Sequence, residues 1–147
     1  MALTSGDLEL VLDGDNQTVG LRFAGVGIPR GATIVTAWVQ FQVDETSSGT
    51  VSLTIAGEAS DNTPTFTSAT GNVSSRPQTA AVVPWSPPAW PTVGAAGAGQ
   101  RTPNLAAVIQ EIVNRAGWLS GRSLVLIVRG TGWRVAESYE GGAAAPR

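Results

Sequence analysis

Carboxylate side chains are concentrated near the start of the chain, at Asp7, Glu9, Asp13 and Asp15. Ca²⁺ takes about six to eight oxygen ligands, and carboxylates supply many of them. The run from Asp13 begins like an EF-hand loop, but Ala24 stands at the last position of that loop, where a glutamate is required. The cluster therefore predicts a structural Ca²⁺ site outside an EF-hand, or else an acidic turn that faces solvent.

The tryptophans are a second group of residues suited to ligand binding. Trp85 and Trp90 flank a proline-rich segment, so the backbone that carries their indoles is stiff. A rigid indole face can stack on the apolar face of a pyranose ring. Packing of both indoles at one end of the fold is the alternative. Trp38 and Trp133 are the further candidates for ligand binding, with packing as the alternative for Trp38.

The composition argues against several other functions. The chain has no cysteine and no histidine, which removes thiol nucleophiles, Cys-type zinc sites and the commonest general base. The remaining carboxylates show no spacing that singles out a pair for glycoside hydrolysis, so we expect no enzyme. The net charge of −2 argues against a nucleic-acid groove. No apolar run is long enough to span a membrane.

The elements that must position these side chains are mostly strands. Val19, Leu21 and Phe23 alternate with small or polar residues, which is typical of a half-buried strand. Residues 33–43 then run without a breaker and predict a long, central strand. Further strands are expected at residues 8–12, 51–58, 80–83, 124–128 and 133–139. The unbroken apolar run at 124–128 predicts a strand that is buried on both faces.

One helix is predicted over about residues 102–116. Thr102 is the expected N-cap, Pro103 suits the first helical position, and Gly117 follows as a stop. With the strands, this pattern predicts an all-β fold: a jelly-roll-like antiparallel β-sandwich with one helix packed on it. Residues 1–147 are expected to form a single domain.

Three strings carry a resemblance to a known family: "GLRFAGVGIPRGATIVTAWVQFQVDE", "VVPWSPPAW" and "RVAESYEGG…AP". On these, nearly the whole chain resembles the bacterial secreted β-sandwich modules of the DNRLRE and disaggregatase-related type. The resemblance implies a jelly-roll-like accessory module of a larger secreted protein, and some members are classed as carbohydrate-binding modules. That family continues past Ala-Pro into a further apolar strand, whereas this sequence ends at Pro146-Arg147. Unless another segment takes its place, we expect an unpaired strand edge.

Two functions from different classes follow as expectations. The first is a non-catalytic, extracellular binding module that recognises a polysaccharide or a cell-surface glycan through Trp85, Trp90, Trp38 and Trp133. The alternative is a structural or adhesive subunit. It would form homo-oligomers by strand complementation at an open sheet edge.

Overall fold

The computed structural model describes residues 3–140 and 145–147 and is built mainly from antiparallel strands. The strands are β1 (Asp7–Glu9), β2 (Leu12–Asp13), β3 (Asp15–Asn16), β4 (Val19–Val26), β5 (Val43–Glu45), β6 (Ser52–Glu58), β7 (Gln78–Trp85), β8 (Arg122–Thr131) and β9 (Val135–Glu137). They form a four-stranded sheet of order β4-β8-β6-β7, a three-stranded sheet of order β1-β9-β5 and the hairpin β2–β3. With a single short α-helix and a 3-10 helix (Ala98–Gln100) among the described residues, this confirms the predicted all-β sandwich.

Strand β8 is the centre of the larger sheet, and residues Ser123 to Val128 along it are buried. Leu124, Leu126 and Val128 point into the main core, while Val125 and Ile127 pack on the other side. This two-sided burial confirms the prediction from the continuous apolar run.

The outer face of β8 is covered by the loop that follows β6 and not by the helix. Phe66 and Val73 from this loop pack against Val125 and Ile127. Arg76 anchors the loop, because its guanidinium lies 4.8 Å from the centre of the Phe66 ring and also forms a buried 2.7 Å ion pair with Glu58.

The helix α1 (Ala106–Val113) is shorter than predicted and packs on β7 and β6. Asn104, and not Thr102, supplies the side chain at its start: the amide of Ala106 donates to Asn104 Oδ1 at 3.0 Å. Thr102 Oγ1 instead accepts from the amide of Val39 at 3.0 Å. No helix in the described part of the chain has the length and apolar character needed to cross a membrane.

The long strand predicted over residues 33–43 is the largest correction to the sequence-based fold. Residues 33–42 are extended but form no regular ladder, and only Val43–Glu45 is a strand. The neighbouring chain is irregular, so side chains supply some of the partners: Gln110 accepts from the amide of Ile34 at 2.8 Å, and Asn104 accepts from the amide of Ala37 at 3.0 Å.

Candidate ligand-binding pocket

An open pocket of about 360 Å³ lies where the small sheet meets the β2–β3 hairpin. We call it the acidic pocket. It is lined by Asp7, Glu9, Leu12, Asp13, Gly14, Glu45, Trp133 and Val135. The pocket therefore combines acidic side chains from three strands with one indole.

Strand register explains how carboxylates distant in sequence meet here. Val135 on β9 pairs with Glu9 of β1 on one side and with Glu45 of β5 on the other. Side chains directly opposite one another across a ladder project from the same face of the sheet. Glu9 and Glu45 therefore flank Val135 on a common face.

A strained turn brings the hairpin over this face. Val11, between β1 and β2, has φ of +73° and is fully buried. A β-branched residue rarely adopts this left-handed conformation, which costs on the order of 1–3 kcal/mol. The turn places Leu12 and Asp13 at the pocket wall.

The pocket concentrates negative charge. Oxygen atoms of Asp7, Asp44 and Glu45 lie within 4.8 Å of one another. Burial raises the pKa of Glu9 above its usual value, and the nearby carboxylates Asp7, Asp13 and Glu45 raise it further, while its own backbone amide acts in the opposite direction. A cation, or the hydroxyl hydrogens of a neutral ligand, would relieve this repulsion.

The carboxylates that meet differ from those predicted to bind Ca²⁺. Asp7 belongs to the group of converging oxygens, and Glu9 and Asp13 line the pocket, but Asp15 lies on β3 and does neither. Asp44 and Glu45 were not predicted as metal ligands. The signal for them in the sequence is that two acidic residues stand together at the end of an apolar stretch. Ca²⁺ binding stays a prediction.

Trp133 forms part of the pocket wall and keeps 37% of its surface exposed. Its neighbour Arg134 is only 1% exposed, and burial lowers the pKa of its guanidinium. Arg134 donates to five backbone carbonyls, those of Ser48, Gly49, Pro87, Pro88 and Trp133, at 2.7–3.4 Å. Because two other loops bind this side chain, the backbone that carries the Trp133 indole is held in place.

Trp85 and Trp90, the leading candidates for sugar stacking, lie in the core with exposures of 5% and 0%. The Phe41 ring stacks on Trp85 with centroids 5.6 Å apart, and Trp90 Nε1 donates to the carbonyl of Gly99 at 3.0 Å. Neither indole offers a ring face to solvent. Both therefore have the packing role that was the alternative to ligand binding. Proline richness marks a stiff segment but does not tell which way its indoles turn.

Trp38 is 47% exposed, so it remains a candidate for ligand binding. The guanidinium carbon of Arg101 lies 4.8 Å from the centre of its ring. Trp38 does not line the acidic pocket. The structure thus separates the two exposed candidates, Trp38 and Trp133, into different sites.

Comparison with family models, with curated proteins and with solved structures finds no match for this chain. The resemblance to secreted β-sandwich modules therefore stays a prediction, and function is argued from the pocket itself.

Proposed function

We propose that this protein is a non-catalytic carbohydrate-binding module that takes a neutral sugar in the acidic pocket. The observation that carries the proposal is the half-exposed indole of Trp133 in one open pocket with carboxylates from β1, β2 and β5. An extracellular role as an accessory to a larger secreted bacterial protein is part of the proposal. The resemblance of the sequence to secreted modules supports that role.

The two kinds of side chain match the two kinds of surface on a sugar. An indole face packs against the C–H groups of a pyranose ring. Ionised carboxylates are pure acceptors, and bonds to charged acceptors are stronger than neutral ones, so Asp7, Glu9 and Glu45 suit the hydroxyl donors of the same ring.

The charge of the pocket selects among sugars. Its ionisable side chains are all acidic, at Asp7, Glu9, Asp13 and Glu45. Uronic acids and sulfated sugars carry like charge and would be repelled at short range. The ligand is therefore a neutral polysaccharide or cell-surface glycan.

The test is a titration of the protein with a panel of neutral and acidic polysaccharides, followed by indole fluorescence and calorimetry. We expect a neutral glycan to bind and Trp133→Ala to weaken that binding by at least about tenfold, since stacking of an indole is lost. Trp38→Ala is the matched control, because it removes an exposed indole outside the pocket, and it should leave the affinity unchanged.

Each arm of this panel has an outcome that contradicts the proposal. Binding that survives Trp133→Ala places the glycan elsewhere, and a panel without any binding removes carbohydrate recognition altogether. Repeating the titration with Ca²⁺ and with a chelator, on the protein and on Asp44→Asn, tests whether the converging oxygens of Asp7, Asp44 and Glu45 bind a cation.

A further inference from the structure

Four of the nine arginines lie together at the end of the molecule where β8 begins. Arg122 is the first residue of β8, and Arg22 donates to the hydroxyl of Ser123, the next residue, at 2.9 Å. The loop between α1 and β8 adds the other two, because Arg115 belongs to this loop and Arg30 donates to its Ala116 carbonyl at 3.1 Å. We call this surface the basic end, and it consists of Arg22, Arg30, Arg115 and Arg122.

Most of the positive charge at the basic end is not neutralised by a carboxylate. Among the described residues there are two ion pairs: Arg115 with Asp61, and Arg76 with Glu58 in the interior. The guanidinium groups of the remaining three arginines of the basic end therefore have no carboxylate partner there. One of the three is exposed and two are half-buried, so all of them are accessible from outside. A guanidinium group can bind a carboxylate through two parallel hydrogen bonds, which makes this surface suited to an acidic partner.

The acidic pocket lies at the opposite end of the same strand. β8 ends at Thr131, and Trp133 of the pocket wall follows two residues later. A strand of this length spans about 30 Å, which separates the basic end from the pocket. The second strand of the pair agrees, because β4 follows the β2–β3 hairpin at the pocket and runs antiparallel to β8 towards the basic end.

The carboxylates of the acidic pocket are as unpaired as the arginines of the basic end. None of the four acidic residues that line the pocket forms an ion pair with a described residue. Arg134 lies beside the pocket but donates to backbone carbonyls. Asp13 and Glu45 are exposed at the pocket wall. One molecule thus carries uncompensated charge of opposite sign at its two ends.

We propose that the basic end docks on the acidic pocket of a second copy of this chain. Charge complementarity identifies the partner, because each copy offers the acidic surface that the basic end of another copy requires. The net charge of −2 is small, so general repulsion between two copies is weak. In this contact the guanidinium groups of Arg30 and Arg122 bind the exposed carboxylates of Asp13 and Glu45.

The geometry of the two ends sets the form of the assembly. The contact joins two different surfaces, so it is head-to-tail, and a dimer keeps one free basic end and one free acidic pocket. Further copies add in the same way, which gives a linear chain of molecules or a ring if the rotation closes. The contact does not require the pocket to bind a sugar, and it is tested without any glycan. Failure of either proposal therefore leaves the other standing.

The first experiment measures the molar mass of the protein by sedimentation equilibrium at two salt concentrations. In about 10 mM salt, where charges act over about 30 Å, we expect the average mass to rise above the monomer as protein concentration increases. In about 1 M salt, where this range falls to about 3 Å, the mass should return to the 15.1 kDa of one chain. A protein that stays monomeric in low salt, or an association that salt does not weaken, overturns the proposal.

Two charge reversals test which surfaces are in contact. Arg30→Glu and Glu45→Arg change exposed positions, one at each end, and circular dichroism checks that both variants keep the fold. We expect each to weaken self-association at least about fivefold, because repulsion replaces attraction across the contact. Arg101→Glu is the matched control: it makes the same charge change at an exposed arginine outside the basic end, and it should associate like the parent protein. Parent-like association of Arg30→Glu places the contact elsewhere and contradicts the proposal.

Mixing the two variants gives the most specific result. Arg30→Glu keeps an intact acidic pocket, and Glu45→Arg keeps an intact basic end, so one unaltered contact forms between one copy of each. The mixture should therefore contain dimers with the affinity of the parent protein, although each variant alone associates weakly. A mixture of folded variants that associates no better than its components shows that the two ends do not meet, which overturns the proposed pairing.

Discussion

At the scale of single residues, Arg134 is the most constrained side chain of the site. It is a buried cation whose described partners are all backbone carbonyls, from three separate loops. Bonds that involve a charged group contribute more to stability than neutral ones, and the loss of such a donor leaves buried acceptors unsatisfied. The side chain therefore joins the wall that holds Trp133 to the proline-rich loop.

Replacing Arg134 with methionine removes these bonds while keeping an apolar chain of similar length. We expect the free energy of unfolding to fall by at least about 3 kcal/mol, measured by urea denaturation. Arg122→Met, at a half-buried arginine with no side-chain hydrogen bond to a described residue, should cost about 0.5 kcal/mol or less. Equal losses in the two variants would show that the carbonyl bonds of Arg134 add little.

Glu9 gives the acidic pocket a pH dependence of definite sign. Its pKa in the folded protein is raised above the ordinary value of 4.5, first by burial and then by the carboxylates around it. The folded state therefore binds the proton more tightly than the unfolded state does. The stabilisation from protonated Glu9 is fully present below pH 4.5 and is lost as the pH rises through the raised pKa.

The variant Glu9→Gln should remove the loss of stability that the ionisation of Glu9 causes as the pH rises. We expect it to be more stable than the parent protein near neutral pH, with the difference shrinking as the pH falls to about 4. Thermal unfolding of both proteins across this pH range measures the effect. Glu140→Gln, the same change at an exposed position, serves as the control and should show no such trend. A Glu9→Gln variant that is less stable at neutral pH would be inconsistent with repulsion in the pocket.

At the scale of elements, the helix holds the irregular parts of the fold through its polar side chains. Gln110 bonds to both the carbonyl of Ala32 and the amide of Ile34, at 2.9 and 2.8 Å. Glu111, the next residue, accepts from the amides of Ala80 and Ala81 on the outer edge of β7, at 2.8 Å each. One turn of α1 thus connects the extended segment to the edge of the larger sheet.

Glu111→Gln tests the protection of the β7 edge. An amide side chain has one carbonyl oxygen in place of two carboxylate oxygens, so one of the two backbone amides loses its acceptor. We expect the variant to lose about 1–2 kcal/mol of stability and the amides of Ala80 and Ala81 to exchange faster. Unchanged exchange at both amides would show that water satisfies them as well as the Glu111 carboxylate does.

How far the sequence predicts an element depends on the partner of that element. Regular alternation identified β4 and β6, and an unbroken apolar run identified β8, because each pairs with regular strands. Residues 33–42 have an equally regular pattern, but their neighbour, which contains Gly97, Gly99 and Pro103, pairs with them only through the isolated bridge between Gln40 and Arg101. The pattern of one segment does not reveal the shape of its partner.

At the scale of the whole molecule, the sandwich is organised around β8, which contacts both β4 and β6 and is buried on its two faces. The candidate site lies on the other sheet, where strands are short. The sequence singled out acidic and tryptophan side chains as candidate ligand-binding residues. Four of these candidates, Asp7, Glu9, Asp13 and Trp133, lie in one pocket of the structure. The approach of Glu45 depends on the register of β9 against two strands, which a single sequence does not encode in any local pattern.

This organisation predicts an order of local stability that hydrogen exchange can measure. The amides of residues 124–128 should exchange only through global unfolding, because both faces and both edges of β8 are covered. The amides of residues 33–38 should exchange much faster, since those of Ile34 and Ala37 bond to side chains and not to a neighbouring strand. Comparable exchange rates in the two segments would contradict a fold centred on β8.

The bonds of Arg134 also bear on how the chain reaches its native state. They connect residues 46, 47, 85 and 86 positions apart in sequence. Closing such long loops costs chain entropy before any contact forms, so distant contacts of this kind slow folding and assemble late. The wall behind Trp133 therefore depends on contacts that form only after distant segments have met, and a ligand that recognises the finished pocket would distinguish mature molecules from collapsed intermediates.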